Sequence, residues 1–338
     1  MLLLAVFLSN PIRAQEPQRP HAGDCIPGTL QTDVRPDREG PPTIVETGIR
    51  MADLREIDDI AQTISVDFAI LQVWQDNRLS HLEGCRVDIA SIWYPEFVLL
   101  NSGRTFQRWP ERASIGPDGT VTYIQRISGT LSSYHNLHDF PFDEQRFTIR
   151  FFPLNYDTSE MALKVNEVFT GMSEVLNISD WKVEGVEGII SERQLLAFEE
   201  ARAQFEFVIE ASRIESFYVW KVILPLSLIV FMSWCVFWID PAQYGSQIGL
   251  SATSMLTMIA FIFATTNILP ALGYFTTLDV FIAGSTVLVF LSLIVSLSTS
   301  YLISIGSKNG ARRLDKACRI VFPLVFLIFS AGVFSSAV

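Results

Sequence analysis

Residues 205–239 read FEFVIEASRIESFYVWKVILPLSLIVFMSWCVFWI, and this one stretch is written for two different solvents. Its start, Phe205-Glu206-Phe207-Val208-Ile209, alternates apolar and polar side chains for much of its length, the two-residue period of a strand with one face toward a core and one toward water. From 217 to 239 the run is apolar, broken only by Lys221 near its beginning, whose stem lets the ammonium reach an interface. A helix needs about 20 such residues to cross a hydrocarbon core. A water-facing β domain therefore ends near Arg213, and a membrane domain begins just after it.

C-terminal to this point, three more stretches are long enough to span: 246–267, 277–305 and 317–338, the last uncharged after Arg319. Trp220, Trp234, Trp238 and Tyr301 sit near span ends, where interfacial aromatics concentrate. Lys308, Arg312, Arg313 and Lys316 fall between the third and fourth spans, and the positive-inside rule puts this connection in the cytoplasm. An even number of spans then places the β domain and the C-terminus together on the outer side. Residues 1–14, with the apolar run Met1 to Leu8 and Ile12-Arg13-Ala14 before Gln15, resemble a secretory signal, which supplies the export route.

N-terminal to the boundary, 181–184, 120–124 and 146–150 repeat the alternation, and Gly116-Pro117-Asp118-Gly119 is a strong turn signal between two such runs. Many short strands without long helical periods predict a β-sandwich. The expected fold is a β + α membrane protein: an immunoglobulin-like β-sandwich over 15–214, then a four-helix transmembrane bundle over 215–338. Charge divides the same way. Nineteen basic and 33 acidic residues precede position 217, a net −14, whereas the remainder carries +3. Nucleic-acid binding, which needs clustered Lys and Arg, is disfavoured.

No glycine-rich phosphate loop or nucleophile elbow occurs, so neither an enzymatic activity nor a cofactor is expected. His135 and His138 flank Asp139, but a satisfied or solvent-facing pair explains them better than a metal site, and no metal is expected. Cys25 and Cys85 can pair in an oxidising compartment, although spacing alone does not decide it; Cys235 and Cys318 lie in apolar segments as packing residues.

The second span differs from the others in its many hydroxyls. Gly249, Thr253, Leu256, Ala260, Phe263 and Asn267 follow one another at alternating steps of four and three, the α-helical period. This stripe is small and polar at its inner end, apolar from Leu256 through Phe263, and polar again at Asn267. It suits a water path closed by apolar side chains through dewetting, with Leu256 and Phe263 as the gate. Hydroxyls that only hydrogen-bond across a helix bundle are the alternative. One helix cannot enclose a pore, so the first reading requires copies around an axis.

Several motifs, in order, resemble those of the pentameric ligand-gated ion channels, or Cys-loop receptors, and in particular their bacterial branch. Trp74-Gln75-Asp76-Asn77-Arg78-Leu79 resembles the family's Trp-x-Asp-x-Arg-Leu, and Trp93-Tyr94-Pro95-Glu96 with Asn101 its Trp-x-Pro-Asp segment. Phe140-Pro141-Phe142-Asp143-Glu144-Gln145 matches the signature at the base of the loop that names the family. Arg213 at the entry to the first span, Pro225 within it, Asn267 to Pro270 closing the second and Arg319 to Pro323 opening the fourth complete the set. The resemblance covers nearly the whole chain, from Ile44 to Phe334. The loop's two half-cystines fall on Ser133 and Phe147, so that disulfide is absent.

The resemblance implies a homopentamer surrounded by membrane lipids in a cell inner membrane, with the receptor domain in the periplasm, short cytoplasmic loops, and no glycan on the Asn177-Ile178-Ser179 sequon. It implies gating by an unknown small-molecule agonist or by protons. The family's agonist aromatics fall on Leu100, Leu154 and Ala69, so Phe152, Tyr156 and Phe198 are the nearby ligand candidates. Gly245-Ser246-Gln247 carries no charge at the inner pore mouth; Asp240 lies just beyond as a candidate selectivity ring for permeant monovalent cations. For coupling, the family pattern brings the turn at Asp58-Asp59-Ile60, the Phe140-Pro141-Phe142-Asp143 segment, Arg213 and Pro270 together at the membrane boundary. Arg213 is expected to pair with Asp59, Asp143 or both, because a buried charge needs a partner. A membrane-anchored sensor without conductance is the competing reading; a membrane enzyme is disfavoured by the scarcity of ionisable residues in the spans.

Overall fold

The computed structural model describes residues 25–28, 31–194, 200–265 and 272–335. The 1–14 leader, Phe198, Asn267 and Pro270 lie outside them. Among the described residues the water-facing part contains twelve strands: β1 Thr43–Asp58, β2 Thr63–Gln75, β3 Arg86–Asp88, β4 Phe97–Leu99, β5 Ser102–Gln107, β6 Arg112–Ile115, β7 Thr120–Ser132, β8 Glu144–Pro153, β9 Met161–Val165, β10 Gly171–Met172, β11 Trp181–Arg193 and β12 Arg202–Arg213. One sheet runs β10-β1-β2-β7-β6-β3, with β5 on β7 and β9 on β1; the other runs β11-β12-β8-β4. The inward halves of their alternating patterns meet in a shared core, Ile49, Met51, Phe68 and Ile70 from one sheet against Phe147, Ile149, Phe205 and Phe207 from the other. That is the sandwich the period-two pattern demands.

The turn at 116–119 joins β6 to β7, and it needs its second glycine. Gly119 has φ +77°, and a Cβ there would lie 2.2 Å from the Asp76 carbonyl oxygen. Cys25 and Cys85 form a disulfide, with Cα atoms 5.5 Å apart, which ties the N-terminal segment to the sandwich.

Among the described residues four helices follow, each long and apolar enough to cross a membrane: α1 Ser216–Trp238, α2 Tyr244–Thr265, α3 Thr277–Ser304 and α4 Lys308–Ser335. This is a multi-pass membrane protein. In α1 the turn at Val219–Ile223 widens to a π-helix immediately before Pro225, so that Leu224 N–H reaches back to the Val219 carbonyl. The helix α3 starts on a capping box in which Thr276 and Asp279 bond each other's backbone N–H groups.

Two expectations change. The basic residues Lys308, Arg312, Arg313 and Lys316 lie in the first turns of α4, leaving only 305–307 as the connection. Trp220, Trp238 and Tyr301 are exposed, as interfacial aromatics are, but Trp234 turns inward and packs edge-on against Phe326.

Candidate functional site

The hydroxyls of α2 separate onto two faces. Gln247, Ser251, Ser254, Met258 and Thr265 point into the bundle. Ser251 Oγ lies 2.7 Å from Ser296 Oγ on α3, and Gln247 Nε2 donates to Asp315 on α4 at 3.0 Å. The cross-bundle role foreseen as an alternative for the hydroxyls therefore belongs to this face. The stripe residues do the opposite: Gly249, Thr253, Leu256, Ala260 and Phe263 all lie on the face turned away from the chain's own helices. Leu256 is 68% exposed and Phe263 73%. The hydroxyls of Thr253 and Thr257 bond back to the Gly249 and Thr253 carbonyls of their own helix. Just before the N-terminus of α2, Asp240 caps the turn Pro241–Gln243 by accepting from Ala242 N–H.

A second cluster occupies the boundary between sandwich and membrane helices. Arg213, the last residue of β12, is 7% exposed. Its Nε and Nη2 donate to the two oxygens of Asp143 at 2.7 and 3.1 Å, and its Nη1 lies 2.9 Å from Asp59 Oδ2. The guanidinium is sandwiched between the Trp181 and Phe140 rings, 4.1 and 4.8 Å from their centroids. Burial works against the charge on Arg213, but the two carboxylates more than offset it and push its pKa up. Burial likewise opposes ionisation of Asp59, yet hydrogen bonds from His135 and Arg213 hold its carboxyl below the usual range. Asp58 turns its carboxylate onto the N–H groups of Ile60 and Ala61, which builds the tight β1–β2 turn and leaves Ile60 exposed at its tip.

The segment 133–143 carries this cluster onto the membrane domain. Thr277 N–H and Leu278 N–H donate to the carbonyls of His138 and Phe140 at 2.8 and 3.2 Å. The Tyr274 hydroxyl accepts from Leu137 N–H, and the Tyr274 ring stacks on His138 at 4.2 Å. Phe140 meets Tyr218 of α1, and Phe142 meets Phe334 of α4. Leu137 and Phe140 are buried in the same apolar cluster as the helices, so the segment is packed into the bundle rather than resting on it.

His135 and His138 diverge, the first onto Asp59 and the second onto Tyr274. Among the described residues no group of acidic, His or Cys side chains is arranged to hold a metal ion. Sequence reasoning missed His135, Trp181, Tyr274 and Tyr218 as members of the boundary cluster. Only the nearness of His135 to the Phe140–Gln145 signature pointed toward it. Of the ligand candidates, Phe152 is buried in β8, and the Tyr156 hydroxyl accepts from Trp93 Nε1 at 2.7 Å with the two rings edge-on.

A sandwich whose last strand feeds four spans, with a buried Arg–carboxylate cluster at the junction and a small-and-apolar stripe on an outward helix face, defines the architecture of a gated channel subunit. Two family models match the chain, the neurotransmitter-gated ion-channel ligand binding domain over residues 26–213 and the neurotransmitter-gated ion-channel transmembrane region over 222–305. The chain belongs to the neurotransmitter-gated ion-channel family, and it is a channel subunit and not an enzyme. It is 27% identical over 293 residues to a proton-gated ion channel of Gloeobacter violaceus, covering 85% of this chain and 81% of that one. It is 25% identical over 304 residues to the gamma-aminobutyric acid receptor subunit beta-4 of Gallus gallus, covering 84% of this chain and 61% of that subunit.

Proposed function

We propose that five copies of this chain form a cation-conducting pore in a cell inner membrane, opened by protons or a small-molecule agonist acting on a periplasmic receptor domain spanning 15–214. The observation that carries this reading is the exposed stripe of α2. Leu256, Ala260 and Phe263 are apolar side chains turned away from their own bundle next to small and hydroxyl residues, an arrangement that suits a water path ringed by identical helices. In the sequence Asn267 continues the four-three spacing of the stripe and Pro270 follows it; both lie outside the described residues. Bulky Leu256 and Phe263 form the closed gate, since ions there face a desolvation barrier. The Cys25–Cys85 disulfide supports an oxidising location for the receptor domain.

Cation selectivity is inferred from charge. The receptor part carries −14 per copy, which raises the local cation concentration in an outer vestibule, and Asp240 supplies an acidic ring at the inner mouth. Phe152, Tyr156 and Phe198 remain the ligand candidates between neighbouring receptor domains. The test is current from purified protein in planar bilayers under opposed sodium and chloride gradients. A reversal potential that follows sodium is expected, and Asp240→Asn should lower the inward cation conductance. A reversal potential that follows chloride overturns the selectivity, and silent bilayers at every pH and agonist overturn the pore.

A further inference from the structure

We propose that His135 is a proton-binding site that acts on the boundary cluster, an inference that rests on the channel reading above. His135 follows β7 at the start of the segment that docks on the membrane helices, and it is 1% exposed. Its backbone N–H donates to Gln62 Oε1 at 2.7 Å, and its ring lies edge-on to Phe147 at 5.1 Å. Nδ1 is 3.0 Å from Asp59 Oδ1. Nε2 is buried and has no hydrogen-bond partner among the described residues.

The charges around the ring do not balance. The β1–β2 turn contributes Asp59, while Asp58 is occupied with its own turn. The docking segment contributes Asp143, reached through Arg213, and β12 contributes the single guanidinium of Arg213. From α1 comes Tyr218, an uncharged hydroxyl near Arg213. Phe147 of β8 carries no charge, and His138 faces Tyr274 instead. Ahead of β11, Asp180 adds a further negative charge near Tyr218. Within the paired set, two carboxylates against one guanidinium leave one unit of negative charge, and a proton on His135 offsets it.

The same proton creates a second demand. A charged imidazole donates from both nitrogens, and in this arrangement Nε2 has no acceptor among the described residues. A buried donor without a partner is unfavourable, so the proton is bound more tightly in an arrangement in which the 133–143 segment or the β1–β2 turn shifts to give Nε2–H an oxygen or water. A ligand that prefers one arrangement populates it, and here the ligand is the proton. The shift has a direct route to the helices, because the neighbouring Leu137 and His138 are hydrogen-bonded to Tyr274 and Thr277 at the start of α3.

The experiment compares full-length wild type, His135→Gln, His135→Phe and Asp59→Asn, recording thermal unfolding in detergent and current in bilayers from about pH 5 to 8, the range in which histidine changes charge. Wild-type melting and current should both change across that range. Both His135 variants should lose this dependence, and Asp59→Asn should move its midpoint by about one pH unit, a tenfold change in proton concentration, without abolishing it. If the melting profile depends on His135 while no current flows at any pH, the proton site stands and the channel reading falls. If both His135 variants fold and retain the wild-type dependence of melting and current on pH, the proton site is overturned.

Discussion

Arg213 grips Asp143 with two parallel hydrogen bonds, Nε to Oδ1 at 2.7 Å and Nη2 to Oδ2 at 3.1 Å, across 70 residues of chain. The pair is held where the last strand of the sandwich becomes the first membrane helix, and its third partner, Asp59, comes from a turn at the foot of the opposite sheet. Both sheets therefore meet at one side chain beside the membrane domain.

Arg213→Gln leaves the buried Asp143 and the half-buried Asp59 without this counter-ion, a change that costs about 3–5 kcal/mol for a buried pair. The expected outcome is a chain that still assembles by size-exclusion chromatography but no longer opens. A double-mutant cycle between Asp59 and Arg213, read from the gating equilibrium, should give a coupling of about 0.5–3 kcal/mol. Normal gating in Arg213→Gln, or a cycle that closes at zero, removes Arg213 from the mechanism and leaves it a static brace.

Leu256→Ser puts a hydroxyl into the apolar part of the α2 stripe. Wetting of the constriction should favour opening by about 1.4 kcal/mol or more, a tenfold rise in the resting open fraction. Single-channel recording without agonist checks this. Unchanged resting activity together with unchanged agonist sensitivity would show that the closed barrier lies elsewhere.

The depressed pKa of Asp59 gives a separate acid signature. Its ionised form is favoured in the folded state, so it contributes stability above its unfolded value of about 3.9 and loses it as pH falls through the lower folded value. Wild type should therefore be more stable than Asp59→Asn at neutral pH, and the gap should close only below about pH 4. Melting curves from about pH 3 to 7 test the window; a gap that closes near pH 6 would assign the transition to a different group.

Asp315, buried in the bundle, accepts from Gln247 Nε2 at 3.0 Å and Thr299 Oγ1 at 2.9 Å, and no Lys or Arg lies within ion-pair distance among the described residues. Thr299→Val keeps the volume and removes one donor. The expected loss is about 1–3 kcal/mol of stability, measured by denaturant unfolding in detergent, and a change within error would show that water replaces the hydroxyl.

Much of this molecule was legible in the order of its residues because the signals are local. A run such as 217–239 has nowhere to go but a membrane, whatever surrounds it, and alternation in 205–209 has one apolar side to bury. The Gly116–Gly119 turn and the four-three steps of the α2 stripe depend only on backbone geometry a few residues long. The family motifs carried the boundary residues Asp59, Asp143 and Arg213 into view without stating their distances.

The tertiary structure alone decided which of these groups meet. Periodicity marks Gln247 and Thr253 as polar residues of one helix, but only the packing of α3 and α4 turns the first onto Asp315 and the second outward. Nothing in the neighbourhood of His135 distinguishes a surface imidazole from one pressed against Phe147 and bonded to a carboxylate 76 residues away. Cys25 and Cys85, 60 residues apart, pair because the folded chain brings their Cα atoms to 5.5 Å, and spacing does not encode that approach. Burial follows from pattern because it is a property of one residue and its solvent. A pairing is a property of two residues, and it exists only once the intervening chain has folded to bring their atoms within bonding distance.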